Sequence, residues 1–153
     1  MDLGGQFELP ASRARVWALL NDPVVLRECI PGCESLEGST TSGYAARVRI
    51  GIGPVKATFS GRVELTDMVE PQSFRISGTG SGGVAGFASG GAFVRLDESE
   101  VGTRLTYEAD AKIGGKLAQL GSRLIESTAG KLANQFFASL ARRVCADSSE
   151  GER

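Results

Sequence analysis

Two periods divide the chain. From Ser35 to Ile113 apolar and polar residues alternate, while the stretches on either side repeat with helical spacing. YAARVRI sets Tyr44, Ala46, Val48 and Ile50 on one face and Arg47 and Arg49 on the other. In VKATFSGRVEL, Val55, Ala57, Phe59, Gly61, Val63 and Leu65 alternate with Lys56, Thr58, Ser60, Arg62 and Glu64. SFRISGTG groups Phe74, Ile76, Gly78 and Gly80, and GGAFVRL groups Ala92, Val94 and Leu96. RLTYEADAKI opposes Leu105, Tyr107, Ala109, Ala111 and Ile113 to Arg104, Thr106, Glu108, Asp110 and Lys112. One covered face and one wet face predict an antiparallel meander. Its turns fall at Gly53–Pro54 and around Glu98–Gly102.

The flanks complete the fold. GQFELP alternates as a short strand, with Phe7 and Leu9 on one face and Pro10 at its end. ASRARVWALLND predicts a helix capped by Ser12; Pro23 opens a second, PVVLRECI, which Pro31 and Gly32 close. From Lys116 to Val144, Leu120, Leu124, Thr128, Leu132, Phe136 and Leu140 recur every fourth residue. Leu117, Gly121, Ile125, Ala129, Ala133 and Phe137 run beside them. This predicts one long helix whose apolar stripe drifts ~40° per step, as a helix laid across a curved sheet requires. The expected fold is α+β: a curved antiparallel sheet of about seven strands around a long C-terminal helix, with two short helices after strand 1. Residues 1–145 form one domain on this reading, and 146–153 a polar, frayed tail.

Glycine is concentrated in one place. GTGSGGVAGFASGG, residues 78–91, holds seven of the chain's 21 glycines, and Gly78, Gly80 and Gly83 match the spacing of dinucleotide-binding turns. That motif needs a helix to follow, because the helix N-terminus holds the pyrophosphate. Here another strand follows, so no nucleotide site is expected. On the inward parity these glycines join Ala46, Ala57, Gly61, Ala109 and Ala111, and provisionally Gly86, Ala88, Gly90 and Ala92. Small inward side chains permit either a very close approach of helix to sheet or an apolar cavity between them.

Charge and chemistry narrow the function. The formal net charge is −1, which gives no general field for nucleic acid. The chain has no histidine, which removes Ser-His and Cys-His nucleophiles and the usual His/carboxylate metal sites. Cys29, Cys33 and Cys145 have no metal or redox spacing and read as reduced thiols of a cytoplasmic protein. The strands' carboxylates and cations carry outward parity. Tyr44, Tyr107, Thr128 and the Trp17 indole remain as inward polar groups. Such an interior suits an apolar molecule oriented by a hydroxyl better than acid–base catalysis.

LPASRARVWALLNDPVVLRECIPGCESLE and, much later, AKIGGKLAQLGSRLIESTAGKLANQFFASL resemble the carbon monoxide dehydrogenase G-subunit (CoxG) family of the SRPBCC, or START-like, helix-grip superfamily. The segments VWALLNDP, IPGCESL and GGKLAQLGSRLI carry most of the likeness. The resemblance implies a deep apolar cavity and a non-enzymatic protein that holds a quinone or lipid. It also implies a link to a molybdenum-containing carbon monoxide dehydrogenase-like oxidoreductase, which such a protein would serve or recruit to the membrane. No cofactor is expected in the chain itself. With its polar end, membrane contact is expected to be peripheral, at the inner face of the cell membrane, or through a partner. The candidate cavity lining is Trp17, Leu20, Leu26, Phe59, Phe74, Tyr107, Leu124, Thr128, Leu132 and Phe136. Core packing is the alternative for each of them. Phe87 and Phe93 have outward parity and are candidates for an exposed patch. Two other functions compete: a docking or assembly protein for the oxidoreductase, and a small enzyme resembling polyketide cyclases.

Overall fold

The computed structural model describes residues 1–151, with residues 146–151 described as helical backbone alone. Strand β1 (Asp2–Leu9) leads into helices α1 (Arg13–Leu20) and α2 (Pro23–Cys29). Ser12 Oγ accepts from the Arg15 N–H at 3.3 Å, and Asp22 Oδ1 from the Val24 N–H at 3.0 Å. Both helices therefore begin where their capping side chains satisfy a free amide.

The meander then runs through β2 (Cys33–Ser39), β3 (Gly43–Ile52), β4 (Val55–Val69), β5 (Ser73–Ser81), β6 (Phe87–Ser99) and β7 (Gly102–Gly114). The seven strands form one antiparallel sheet in the order β1-β7-β6-β5-β4-β3-β2. Register places directly opposed residues on the same face. Ala46 opposes Gly61, Gly61 opposes Gly80, and Gly80 opposes Ala88. The inward parity read from the alternation is thus the observed one for β3 to β7.

Helix α3 (Ser122–Gly151) does not begin at Lys116 as expected. Gly115–Leu120 is a 3-10 turn, and Gly121 follows it with φ of +91°. That left-handed backbone interrupts the helix at a glycine, the residue that adopts it with least strain. At the other end α3 passes Val144 and continues to Gly151, so most of the expected tail is helical; Glu152 and Arg153 lie outside the described residues. Gly86 is likewise not an inward strand position: it ends a 3-10 turn, Gly83–Ala85, with φ of +123°.

The core is not spread evenly beneath the sheet. Leu9, Val16, Trp17, Leu20, Val25, Phe74, Leu96, Leu105, Leu140 and Val144 are all buried and pack together where α1, α2 and the second half of α3 meet one end of the sheet. At the opposite end, which carries the β3–β4 hairpin and the 83–86 turn, the inward residues Val48, Ile50, Ala57, Phe59 and Ile113 are only half-buried.

Candidate functional site: a small-residue floor beneath a bridging helix

Between these two ends the inward face is made of the smallest side chains. Ala46, Gly61, Gly80 and Ala88 lie side by side across the sheet, followed by Gly78, Gly90 and Ala111 and then by Ile76, Ala92 and Ala109. An apolar hollow of about 340 Å³ opens over this floor, with walls contributed by β5, β6 and β7.

Helix α3 crosses the inner face of the sheet, but the hollow is lined by strand residues alone. The helix concentrates its sheet contacts on β1, an edge strand, and β3, beside the other edge. On β1 the Phe7 and Phe137 rings stack at 4.2 Å. Across the sheet, a Cβ built on Gly53, in the β3–β4 turn, would lie 2.9 Å from Leu124. Between these two contacts α3 carries Thr128, Ala129, Leu132 and Ala133, all half-buried.

The glycines of the floor are of two kinds. A Cβ on Gly61 would lie 2.5 Å from the Thr79 carbonyl oxygen, and one on Gly90 would lie 2.3 Å from that of Asp110. Those two positions allow neighbouring backbones to approach as the sheet coils. At Gly80 the nearest atom to an added Cβ is the Ser60 carbonyl oxygen, at 3.8 Å, which is ordinary contact. Gly80 therefore leaves space that its neighbours do not demand.

None of the ten candidate lining residues is among those that line the hollow, and Tyr107 and Phe136 pack against the sealed core. Trp17, Leu20 and Phe74 lie in the sealed core, where Trp17 meets Phe74 edge-on at 5.4 Å. Leu26 is half-buried on α2. The Phe59 ring reaches across to Gly82, whose added Cβ would fall 2.6 Å from it. Leu124 is partly exposed at the hairpin, while Thr128 and Leu132 are half-buried further along α3. Phe136 and Phe137 meet edge-on at 5.0 Å, and Tyr107 stacks on Phe137 at 6.1 Å. The residues that do line the hollow are the small ones of β5, β6 and β7, which the inward parity marked as small but which the candidate lining left out.

Polar atoms around the hollow are few. Tyr44 is buried, and its hydroxyl pairs with Thr40 Oγ1 at 3.3 Å; Thr40 donates in turn to Asn21 Oδ1 at 2.9 Å. Thr128 donates to the Leu124 carbonyl at 2.9 Å. The Tyr107 phenol lies over Gly5, where an added Cβ would sit 3.2 Å from the hydroxyl. Among the described residues that hydroxyl makes no hydrogen bond, and its ring packs against the core in the row of Val94 and Phe74. Arg47, Arg49, Glu64, Glu108, Asp110 and Lys112 project from the outer face and are exposed. Burial raises the pKa of the Cys29 and Cys33 thiols, although Arg27 partly opposes this at Cys33. Both therefore stay protonated at neutral pH and make poor nucleophiles. Among the described residues no group of three or more His, Cys, Asp and Glu could hold a metal ion.

A larger depression, of about 890 Å³, lies on the outer face and is lined by Asp2, Thr66, Arg75, Phe93, Glu108 and Asp110. It is a solvated strand surface: Arg75 lies 5.1 Å over the Phe93 ring and pairs with Asp67 at 3.3 Å. Phe93 is half-covered as a result, while Phe87 is exposed on the same face.

No curated protein sequence matches the chain. A conserved protein from Geobacillus kaustophilus is 33% identical and superposes with a TM-score of 0.89, over 95% of this chain and 96% of that one. A Thermus thermophilus protein at 18% identity gives 0.71 over 97% and 99%. A Rhizobium leguminosarum protein at 15% identity gives 0.72 over 94% and 93%. The last two share the fold. The model of the family described as the carbon monoxide dehydrogenase G-subunit matches residues 5–145, so the chain belongs to the CoxG family.

Proposed function

We propose that this protein is a non-catalytic carrier of an apolar molecule, a quinone or another lipid, serving a carbon monoxide dehydrogenase-like molybdenum hydroxylase. One observation carries the reading: an apolar hollow floored by glycine and alanine opens on the inner face of the sheet, the face that α3 crosses between β3 and β1. A sheet and helix evolved only to pack would fill that space with larger side chains. The family name supports an accessory role beside the oxidoreductase. Docking to that enzyme without a ligand is the second reading, favoured by the exposed Phe87 on the outer face.

Protein purified from its native host and then denatured should release a quinone or lipid detectable by mass spectrometry. Gly80→Leu, which fills the floor without backbone collision, should abolish uptake while the protein stays folded. Unchanged uptake by that variant overturns the site. Ligand-free protein that still captures the oxidoreductase supports the docking reading instead.

A further inference from the structure

A groove of about 510 Å³ lies between α2, the turn at residues 30–33 and the middle of α3, and it shares no residue with the hollow. Two helices bring its cations together. Gln135, Ser139 and Arg142 follow one another at spacings of four and three, so they share one face of α3. Arg27 comes from the last turn of α2. The adjacent pair Glu28–Arg143 ties the two helices and holds these faces towards one another.

Neither guanidinium is spent on a carboxylate among the described residues. Arg27 donates to the Glu34 carbonyl oxygen at 3.2 Å, and Arg142 to Ser139 Oγ at 3.0 Å. A guanidinium has five N–H donors, so most of them stay open, and Ser139 keeps its own proton to donate. The groove's own carboxylate, Glu28, is occupied by Arg143. Glu34, exposed at the start of β2, pairs with neither arginine. Both cations act on the same small space. Burial, joined by Glu28 at Cys29, pushes up the two thiols of the groove; Arg143 and Arg142 oppose it at Cys29, and Arg27 opposes it at Cys33.

We propose that this groove binds the phosphate group of a small phosphorylated molecule, with Arg27 and Arg142 as its clamp and Ser139 and Gln135 as further donors. One arginine fork satisfies a carboxylate, whereas donors converging from two helices match the several oxygens of a phosphate. Ile30, Pro31 and Ala138 complete the walls and leave an apolar surface for the rest of the molecule. The site is independent of the carrier reading, because the hollow contributes nothing to it.

Alkylation of the thiols with iodoacetamide, followed residue by residue by mass spectrometry, tests it with inorganic phosphate and phenyl phosphate as probes. Cys33 is half-buried in the groove, and Cys145 is exposed on α3 outside it, which makes Cys145 the internal reference. Bound phosphate neutralises Arg27 beside Cys33 and blocks the approach, so Cys33 should slow severalfold while Cys145 keeps its rate. Chloride at matched ionic strength should change neither. Arg142→Gln leaves Arg27 beside Cys33 and should weaken phosphate binding about tenfold or more; Arg27→Gln with Arg142→Gln should abolish the protection. Both arginines are exposed, and an unchanged urea midpoint shows that the variants fold. Phenyl phosphate should protect at least as well as phosphate. No slowing of Cys33 at millimolar phosphate, equal slowing of Cys145, or undiminished protection in the double variant overturns the proposal. So does protection by phosphate but not by its phenyl ester, which would leave a site for a bare ion only.

Discussion

The two ends of the concave face solve opposite problems with the same strands. At one end Phe74, Val94, Leu96 and Leu105 meet α1, α2 and the second half of α3, and every one is buried. A few residues further along those strands, Gly78, Gly80, Gly90 and Ala111 meet nothing of comparable size. The closed end supplies the stability of the domain, because burial there removes whole apolar side chains from water. The open end can then remain underfilled. A cavity is tolerable in a domain of this size only where another region carries the core.

The strongest test of this division uses one substitution at two points of α3. Leu140 is fully buried in the core, whereas Leu132 is half-buried in the first half of the helix. In ligand-free protein Leu140→Ala should lower unfolding free energy by about 2–5 kcal/mol and Leu132→Ala by about 1 kcal/mol or less, measured in urea. Helix propensity changes equally in both, so the difference reports packing alone. Equal losses would mean that the first half of the helix packs a second core.

A smaller effect separates the two kinds of floor glycine. Gly61→Ala and Gly90→Ala drive a methyl into a backbone carbonyl and should each cost about 1–3 kcal/mol. Gly80→Ala meets only ordinary contact and should be close to neutral. If Gly80→Ala were as costly as the others, all these glycines would serve sheet curvature and none would leave space.

How much of this was legible before the structure follows from what each pattern encodes. Alternation encodes the face, so the meander, the inward alanines and glycines other than Gly86, and the outward Phe87 and Phe93 were readable. Parity does not encode depth. Trp17, Leu20 and Phe74 were correctly inward, yet only the placement of α1 and α2 shows that they lie in the sealed end. The break before α3 was hidden for a different reason. Leu117 and Leu120 continue the apolar spacing into Ile125, and the positive φ of Gly121 leaves no mark on hydrophobic period.

The finest test concerns the helix above the floor. Gly130 lies in the third turn of α3, half-buried, and a Cβ built there meets no atom within 4 Å. Were α3 seated flush on the sheet, a mid-helix glycine would mark a close approach, and a methyl would collide. With the helix held at its ends, the glycine only costs backbone entropy. Gly130→Ala should therefore stabilise the protein by about 0.5–1 kcal/mol. Loss of stability in that variant would place a neighbour against the helix where the hollow should be, and the bridging geometry would fall with it.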